Sequence, residues 1–444
     1  MANHVITRIA PSPTGQMHIG TVRTALFNYL FAKRHGGTYF VRIEDTDKER
    51  NKEEWVDAIW KDFEWCGIMP DKRYRQSEHV DQHRELLHEL VEKDLAYISK
   101  EPAKDDPSRT VEVVRLRNPG KTVTFSDMIR GEVTFDTTEL KDFVIARSID
   151  DPLYHFAVVV DDGEAGVTHV LRAEEHISNT PRQILIQEAL GLPRPIYGHF
   201  PLILAPDRSK LSKRKHGASI ENYREQGYLP EAIINYLALL GWNPGTEQEL
   251  FTLDELVQAF DIAQVQKAGA IFDEIKLRWF NREYLLKLPE DAFASQVVAI
   301  LKEAHPEWDE TKMRAIIPTL KERVHTWQDI RTMLEDGELD FFFTSPQPDP
   351  ASIPGKKSDA QIAIKHLQHV HDTLSQIAND AFTHTAVHDA LWDYATQEGR
   401  GAVLWPLRYS LTGKERSPDP FTVASVIGKN ETLSRVSHAI ENLA

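Results

Sequence analysis

"VITRIAPSPTGQMHIGTVRTALFNYLFAKRHGGTYFVRIED" spans residues 5–45, and its hydrophobic period changes twice. Val5 to Ala10 is a short apolar run of the kind a buried strand shows. From Thr21 the residues Val22, Ala25, Leu26, Tyr29 and Leu30 recur at the spacing of one helix face. Gly36 and Gly37 stop that helix, and "TYFVRIED" begins a second apolar run. Val56, Ile59, Trp60 and Phe63 then mark a second helix. Strand, helix, strand, helix at these lengths predicts βαβ units and a parallel sheet.

Between the first strand and the first helix stand Pro11, Pro13 and Gly15. The prolines fix φ and forbid an early helix, while the glycine lets backbone approach a ligand closely. In a doubly wound sheet, ligands lie beyond the carboxyl ends of the strands, which is where this turn falls. His18 and Gly20 come at the helix start, where free N–H groups and the dipole favour phosphate. By itself the turn is equally compatible with a plain strand–helix connection carrying a surface histidine.

Farther along, residues 96–151 alternate β-rich runs with Gly-containing turns, the texture of an inserted mixed domain. "HFAVVVDD" and "VTHVLRAEE" then read as a return of the buried strands, followed by a helix through "TPRQILIQEAL". Beyond about Pro206 helical patterns dominate, as in "PEAIINYLALLGW" and "FDEIKLRWFNREYLLKL". Pro-rich "TSPQPDPASIPG" (Thr344–Gly355) is the best linker candidate. Ala363, Leu367, Val370, Leu374 and Ile377 follow it as the apolar face of a helix. The chain therefore reads as a nucleotide-binding α/β core with an insertion and a helical tail.

Its 444 residues are too many for one core and imply two to four domains. No run of about 18 apolar residues is present, and the N-terminus has neither a basic head nor an apolar signal core, so a cytoplasmic protein without membrane contact is expected. Cys66 is the only cysteine, which excludes intramolecular disulfides and Cys-based zinc sites; it reads as a small core residue. The net charge of −16 does not favour nucleic acid, although a local basic face on a large protein suffices for it.

One such basic stretch is "KLSKRK" at 210–215, with four cations in six residues. Lysines on a loop neutralise charge that develops on a transferring phosphate, whereas most short basic runs are merely solvated. Together, "HIG" and "KLSKR" resemble the two signatures of class I aminoacyl-tRNA synthetases. "YRQSE", "VTHVLRAEEHISNTPRQ", "KLSKRKHGA", "YLPEAIINYLALLGW", "FDEIKLRWFNREYL" and "PLRYSLTGKERSP" narrow the likeness to the bacterial type of glutamyl-tRNA synthetase, in order and over nearly the whole chain.

The resemblance implies a Rossmann-type catalytic core in two halves, 1–95 and 155–205, with an α+β acceptor-binding insertion at 96–154. All-helical parts would follow: a stem-contact domain at 206–289 and anticodon-binding subdomains at 290–344 and 345–444. It implies activation of L-glutamate with ATP and Mg2+ to glutamyl-adenylate, then transfer to the terminal adenosine of tRNA(Glu), by an enzyme expected to be a monomer. Neither step needs a covalent enzyme intermediate, so alignment and charge stabilisation are the protein's task. His18, Gly20, Lys210 and Lys213 would be the catalytic set, and Thr14, His18, Gly20, Lys210, Ser212 and Lys213 would bind ATP. Arg8, Ser12, Glu44, Tyr154 and Arg172 would surround glutamate. Two carboxylates want guanidinium forks and an ammonium wants a carboxylate, which fits this set.

Other polar residues have plainer readings. Asp45 and Asp47 are candidate helix caps, and Asp161–Asp162 could bind metal, end a strand or support the acceptor end. His366, His369 and His371 read as a surface helix face, His384 and His388 as structural, and Trp405 as core. Three departures from the family pattern stand out. Thr21 replaces the last histidine of the first signature, and Val158 stands where relatives often carry a polar residue in the glutamate pocket. The segment between Tyr97 and Val113 is shortened at 98–112 and lacks Cys-x-Cys, so the zinc of some relatives is not expected. A form that also charges tRNA(Gln), and an inactive synthetase-like RNA-binding protein, are the alternatives.

Overall fold

The computed structural model describes residues 4–46, 49–103, 106, 108–212, 217–356 and 358–444. It divides into two compact units, Met1–Asn281 and Arg282–Ala444.

The first unit opens as the period change predicts: β1 (Ile6–Ile9), α1 (Ile19–Arg34), β2 (Thr38–Ile43), α2 (Glu53–Trp65), β3 (Lys72–Arg75) and α3 (Val80–Glu92). The strands run parallel in the order β1-β2-β3. Helix α1 begins two residues before the expected Thr21, because His18 serves as its N-cap. It is buried on nearly every side, and Asn28 on it donates to the Leu171 carbonyl (2.9 Å) while its own carbonyl accepts from Thr7 Oγ1 (2.9 Å). The close turn into β2 needs Gly37, where a Cβ would stand 2.3 Å from the Val5 carbonyl oxygen.

Next come β4 (Ala96–Pro102), β5 (Thr110–Leu116), β6 (Thr122–Asp127), β7 (Gly131–Asp136), β8 (Phe143–Ser148) and β9 (Asp151–Pro152). Strands β4, β5, β8 and β9 form an antiparallel sheet of their own. The β6–β7 hairpin instead joins β10 (His169–Ala173) and β11 (Ile196–Phe200) in the order β10-β11-β6-β7, with Tyr197 opposite Asp127. Strand β10 lies beside β1, where Thr168 N donates to the Ile6 carbonyl (3.1 Å).

One expectation is corrected. "HFAVVVDD" is not a strand but most of α4 (Tyr154–Glu164). Its valines have strand propensity, yet Phe156 through Asp162 are all buried, and packing on every side overrides local preference. Asp161 and Asp162 therefore end no strand; they face inward from the last turns of this helix. The expected helix after β10 is α5 (Thr180–Leu190).

After the short β12 (Ile203–Leu204) come α6 (Ile220–Glu225), α7 (Pro230–Leu239), α8 (Leu253–Ala259), β13 (Ala270–Ile271) and α9 (Glu274–Lys287). Cys66, at the end of α2, is buried, and burial pushes its thiol far above the ordinary range.

The second unit is helical: α10 (Glu290–Ala304), α11 (Glu310–Ala315), α12 (Ile317–Arg323), α13 (Trp327–Glu335), α14 (Ala360–Ser375), α15 (His384–Glu398), α16 (Arg400–Thr412), α17 (Pro420–Ile427) and α18 (Lys429–Leu443). The Pro-rich stretch is fastened here rather than loose. Trp405 Nε1 donates to the Ser352 carbonyl (3.2 Å), and buried Arg435 donates to the carbonyls of Phe341 (2.7 Å), Leu411 (2.6 Å) and Thr344 (3.2 Å). His366 departs from the surface reading: it is buried on α14 with Nδ1 bonded to the Tyr394 hydroxyl (2.8 Å). His369 stacks on that same tyrosine, with ring centres 3.6 Å apart.

Candidate active site

Beyond the carboxyl ends of β1 and β10 lies a cleft of about 560 Å³, lined among others by Arg8, Ser12, His18, Gly20, Glu44, Tyr154, Arg172, Lys210 and Ser212. Nine residues that lie up to about two hundred positions apart in sequence thus share one cavity. Thr14 is exposed and outside this lining, and Lys213 lies outside the described residues, as does Asp47.

One end of the cleft is built on the start of α1. His18 Nδ1 accepts from Gly20 N (2.9 Å), which fixes the ring proton on Nε2 and makes that edge the donor. A Cβ on Gly20 would press to 3.0 Å from Nδ1, so a larger residue there would make the imidazole give way by a few tenths of an ångström. His18 also forms an antiparallel bridge with Ser219, with Ile19 N donating to the Ala218 carbonyl and Ile220 N to that of Met17 (3.1 Å each). This bridge ties the first signature to the chain just past the second. Lys210 is exposed on the rim and paired with Glu175, another residue lining the cleft.

At the other end, charges of alternating sign form a chain. Arg8 grips Asp162 with two bonds, Nε to Oδ1 (3.1 Å) and Nη2 to Oδ2 (2.8 Å). Arg42, wholly buried, donates to Asp162 Oδ1 (2.5 Å) and Glu44 Oε1 (3.1 Å) and sits 3.6 Å from Asp161. Asp161 in turn meets His83 Nε2 (2.6 Å) and Gln76 Nε2 (2.6 Å). Burial alone would raise the Asp162 carboxyl, but Arg8 and Arg42 outweigh it and hold the group at about 2. For Glu44 burial wins, and its carboxyl is pushed up. The order Arg8–Asp162–Arg42–Glu44 thus holds a cation and an anion at fixed places on the cleft wall.

Arg172 completes this end. Its Nε donates to His199 Nε2 (3.2 Å) and Nη2 to Thr180 Oγ1 (2.8 Å), while Nη1 is buried with no hydrogen-bond partner among the described residues. A buried guanidinium N–H left unmatched is costly, and a carboxylate entering the cleft would match it. Burial, reinforced by Arg172, pushes His176 down to about 4, so this cleft residue is neutral at pH 7. Val158 is buried in α4 and is not part of the lining. Asp45 caps no α-helix; it accepts from Ser77 N (2.9 Å) and Oγ (2.8 Å) and pairs with Arg75.

Arg23, Arg42, Glu175, His176 and His199 were not singled out from sequence. Arg42 carried a signal all the same: a lone arginine inside the apolar strand "TYFVRI" must find buried anions. Arg23, whose guanidinium bonds the carbonyls of Leu240 and Pro201, carried none.

A family model described as "tRNA synthetases class I (E and Q), catalytic domain" matches residues 4–107 and 100–279, and one described as "Anticodon binding domain" matches 292–440. The "Glutamate--tRNA ligase" of Desulforudis audaxviator is 37% identical over 98% of this chain and 96% of its own length. "Glutamate--tRNA ligase 1" of Coxiella burnetii is 38% identical over 98% of both. A crystal structure of a glutamate tRNA ligase from Elizabethkingia meningosepticum, in complex with its amino acid, superposes with a TM-score of 0.88 at 32% identity, covering all of both chains. The chain belongs to the glutamate–tRNA ligase family of class I tRNA synthetases.

Proposed function

We infer that this chain activates L-glutamate with ATP and transfers it to the 3′-terminal adenosine of tRNA(Glu). The single observation that carries the site assignment is the one cleft that gathers Arg8, Glu44 and Arg172 at one end and His18, Gly20 and Lys210 at the other. Glutamate brings two carboxylates and an ammonium; Arg8 and Arg172 answer the first and Glu44 the second. A neutral glutamine side chain would leave one buried arginine poorly matched, so charge discriminates between the two amino acids.

ATP enters with Mg2+. His18 Nε2–H, at the positive end of the α1 dipole, holds a phosphate oxygen, while Gly20 leaves room for the purine. The α-carboxylate of glutamate attacks the α-phosphorus; a carboxyl O–P bond forms and the bond to pyrophosphate breaks. Lys210, together with Lys213, stabilises the charge that spreads over the phosphorus oxygens. A terminal hydroxyl of the tRNA then takes the glutamyl group and releases AMP. The domain assignment follows the same reading: a core of 1–95 and 155–205, an acceptor-binding insertion at 96–154, a stem-contact part at 206–289 and anticodon-binding parts at 290–344 and 345–444. The second unit has a cleft of about 1060 Å³ whose lining mixes Arg323, Lys414 and Arg416 with Glu338, Glu415 and Asp419. A cytoplasmic monomer without zinc completes the proposal.

Charging of purified tRNA(Glu) and tRNA(Gln) with labelled glutamate and glutamine tests it. Glutamyl-tRNA(Glu) is the expected product. Label on tRNA(Gln) as well would mark the less selective form, and no charging at all would overturn the reading.

A further inference from the structure

His199 and Asp127 take no part in the chemistry above, yet both are buried against it. His199 is fully buried on β11, and Asp127, 3% exposed, ends β6. The imidazole Nδ1 lies 2.6 Å from Asp127 Oδ2, and its Nε2 lies 3.2 Å from Arg172 Nε and 3.1 Å from Thr180 Oγ1. Asp127 is itself fixed, since its Oδ1 accepts from the backbone N–H groups of Ile129 (2.9 Å), Arg130 (2.8 Å) and His199 (3.3 Å).

A guanidinium has donors and no lone pair, so its contact with His199 requires Nε2 to accept. That fixes the tautomer: the ring proton stays on Nδ1 and is given to Asp127. Nε and Nη2 of Arg172 are then committed to His199 and Thr180, and Nη1 is left over. We propose that Asp127 and His199 are positioning residues for glutamate, holding the Arg172 guanidinium in the one orientation that presents Nη1 to a substrate carboxylate. The proposal rests on the reading that Arg172 takes such a carboxylate. Because Asp127 belongs to the β6–β7 hairpin, the segment inserted between the two halves of the core reaches the amino-acid site through two side chains.

Protonation of Nε2 would undo the arrangement, setting an imidazolium against Arg172 inside the protein. The groups facing His199 are Asp127 from β6, Arg130 from the following turn, Arg172 from β10, and His176 and Thr180 around the start of α5, with the rings of Phe125 and Tyr197 alongside. Burial, first, and then the two arginines keep the imidazole below its ordinary range, while Asp127 acts the other way. The acceptor is therefore intact at neutral pH and is lost on the acid side.

The test uses the full chain and tRNA(Glu) charging, with KM for glutamate and for ATP measured from about pH 5.5 to 8. In His199→Gln the amide oxygen can accept from Arg172 but cannot ionise. This variant should keep the glutamate KM within about threefold at neutral pH and show a shallower acid rise than the parent; what remains belongs to Glu44. His199→Phe should raise the glutamate KM about tenfold or more and leave the ATP KM within about twofold. Asp127→Asn, which removes the charge that favours imidazolium, should move the acid rise to lower pH. An acid rise unchanged in both His199→Gln and Asp127→Asn would overturn the proposal even if His199→Phe does not fold. So would His199→Phe with an unchanged glutamate KM, or with both KM values raised alike. Failure of the underlying reading looks different: Arg172→Lys would then leave the glutamate KM of an active enzyme unchanged.

Discussion

At the scale of the residue, the charged groups on the cleft wall are themselves held by buried partners. Arg8→Ala removes a cation from a site where it is 4% exposed and bonded to Asp162. A buried, hydrogen-bonded charge is worth several kcal/mol to a ligand, so kcat/KM for glutamate should fall by about 100-fold or more in charging assays. Arg42→Met should act on stability first. It leaves Asp161, Asp162 and Glu44 buried without their shared cation, at a cost of about 3–5 kcal/mol readable in urea unfolding. The pH dependence has a definite sign. Asp162 is lowered from 3.8 to about 2 in the folded chain, so its stabilisation is full above about pH 4 and is lost as pH falls toward 2. The shift corresponds to about 2 kcal/mol in acid titration of unfolding, and Arg42→Met should flatten that limb. Arg8, Glu44 and Arg172 were legible in the sequence only through family likeness. His199 was not, and Arg42 showed only as a buried cation, because nothing in a linear pattern tells which buried cation answers which buried anion.

At the scale of the element, periodicity served best where one face of a helix or strand is buried. The strand–helix–strand opening and the helix face from Ala363 are of that kind, and both stand in the structure, although the helix ends at Ser375 and leaves Ile377 outside it. It failed for α4, which is enclosed on all sides and so presents an unbroken apolar run like that of a parallel strand. The turn into α1 shows a second limit. "PSPTG" announces a loop, but not that His18 turns back to accept from Gly20 N. Gly20→Ala should push the imidazole from that position. Glutamyl-adenylate formation should drop by about tenfold with little change in the urea midpoint. Lys210→Ala removes the rim cation to which the proposed reaction gives the developing charge. It should slow adenylate formation while leaving the glutamate KM within about twofold, as single-turnover and steady-state rates would show.

At the scale of the whole molecule, the chain divides into two compact units, Met1–Asn281 and Arg282–Ala444. The overall charge of −16 decides little about partners, because it counts every surface at once while a local basic face suffices for nucleic acid. Affinity for tRNA(Glu) should fall steeply and log-linearly as salt rises, because the cations that touch phosphate release counterions whatever the remainder of the surface carries. A salt-independent affinity, measured by filter binding, would contradict that footprint. The solitary Cys66 has a practical consequence. Since its thiol is buried and its proton tightly held, a maleimide should find nothing to modify in the native chain and one site after denaturation. A cysteine introduced at an exposed position would then be the sole reactive handle, so fluorophores could report tRNA-induced movements without first stripping the protein of its own sulfhydryl.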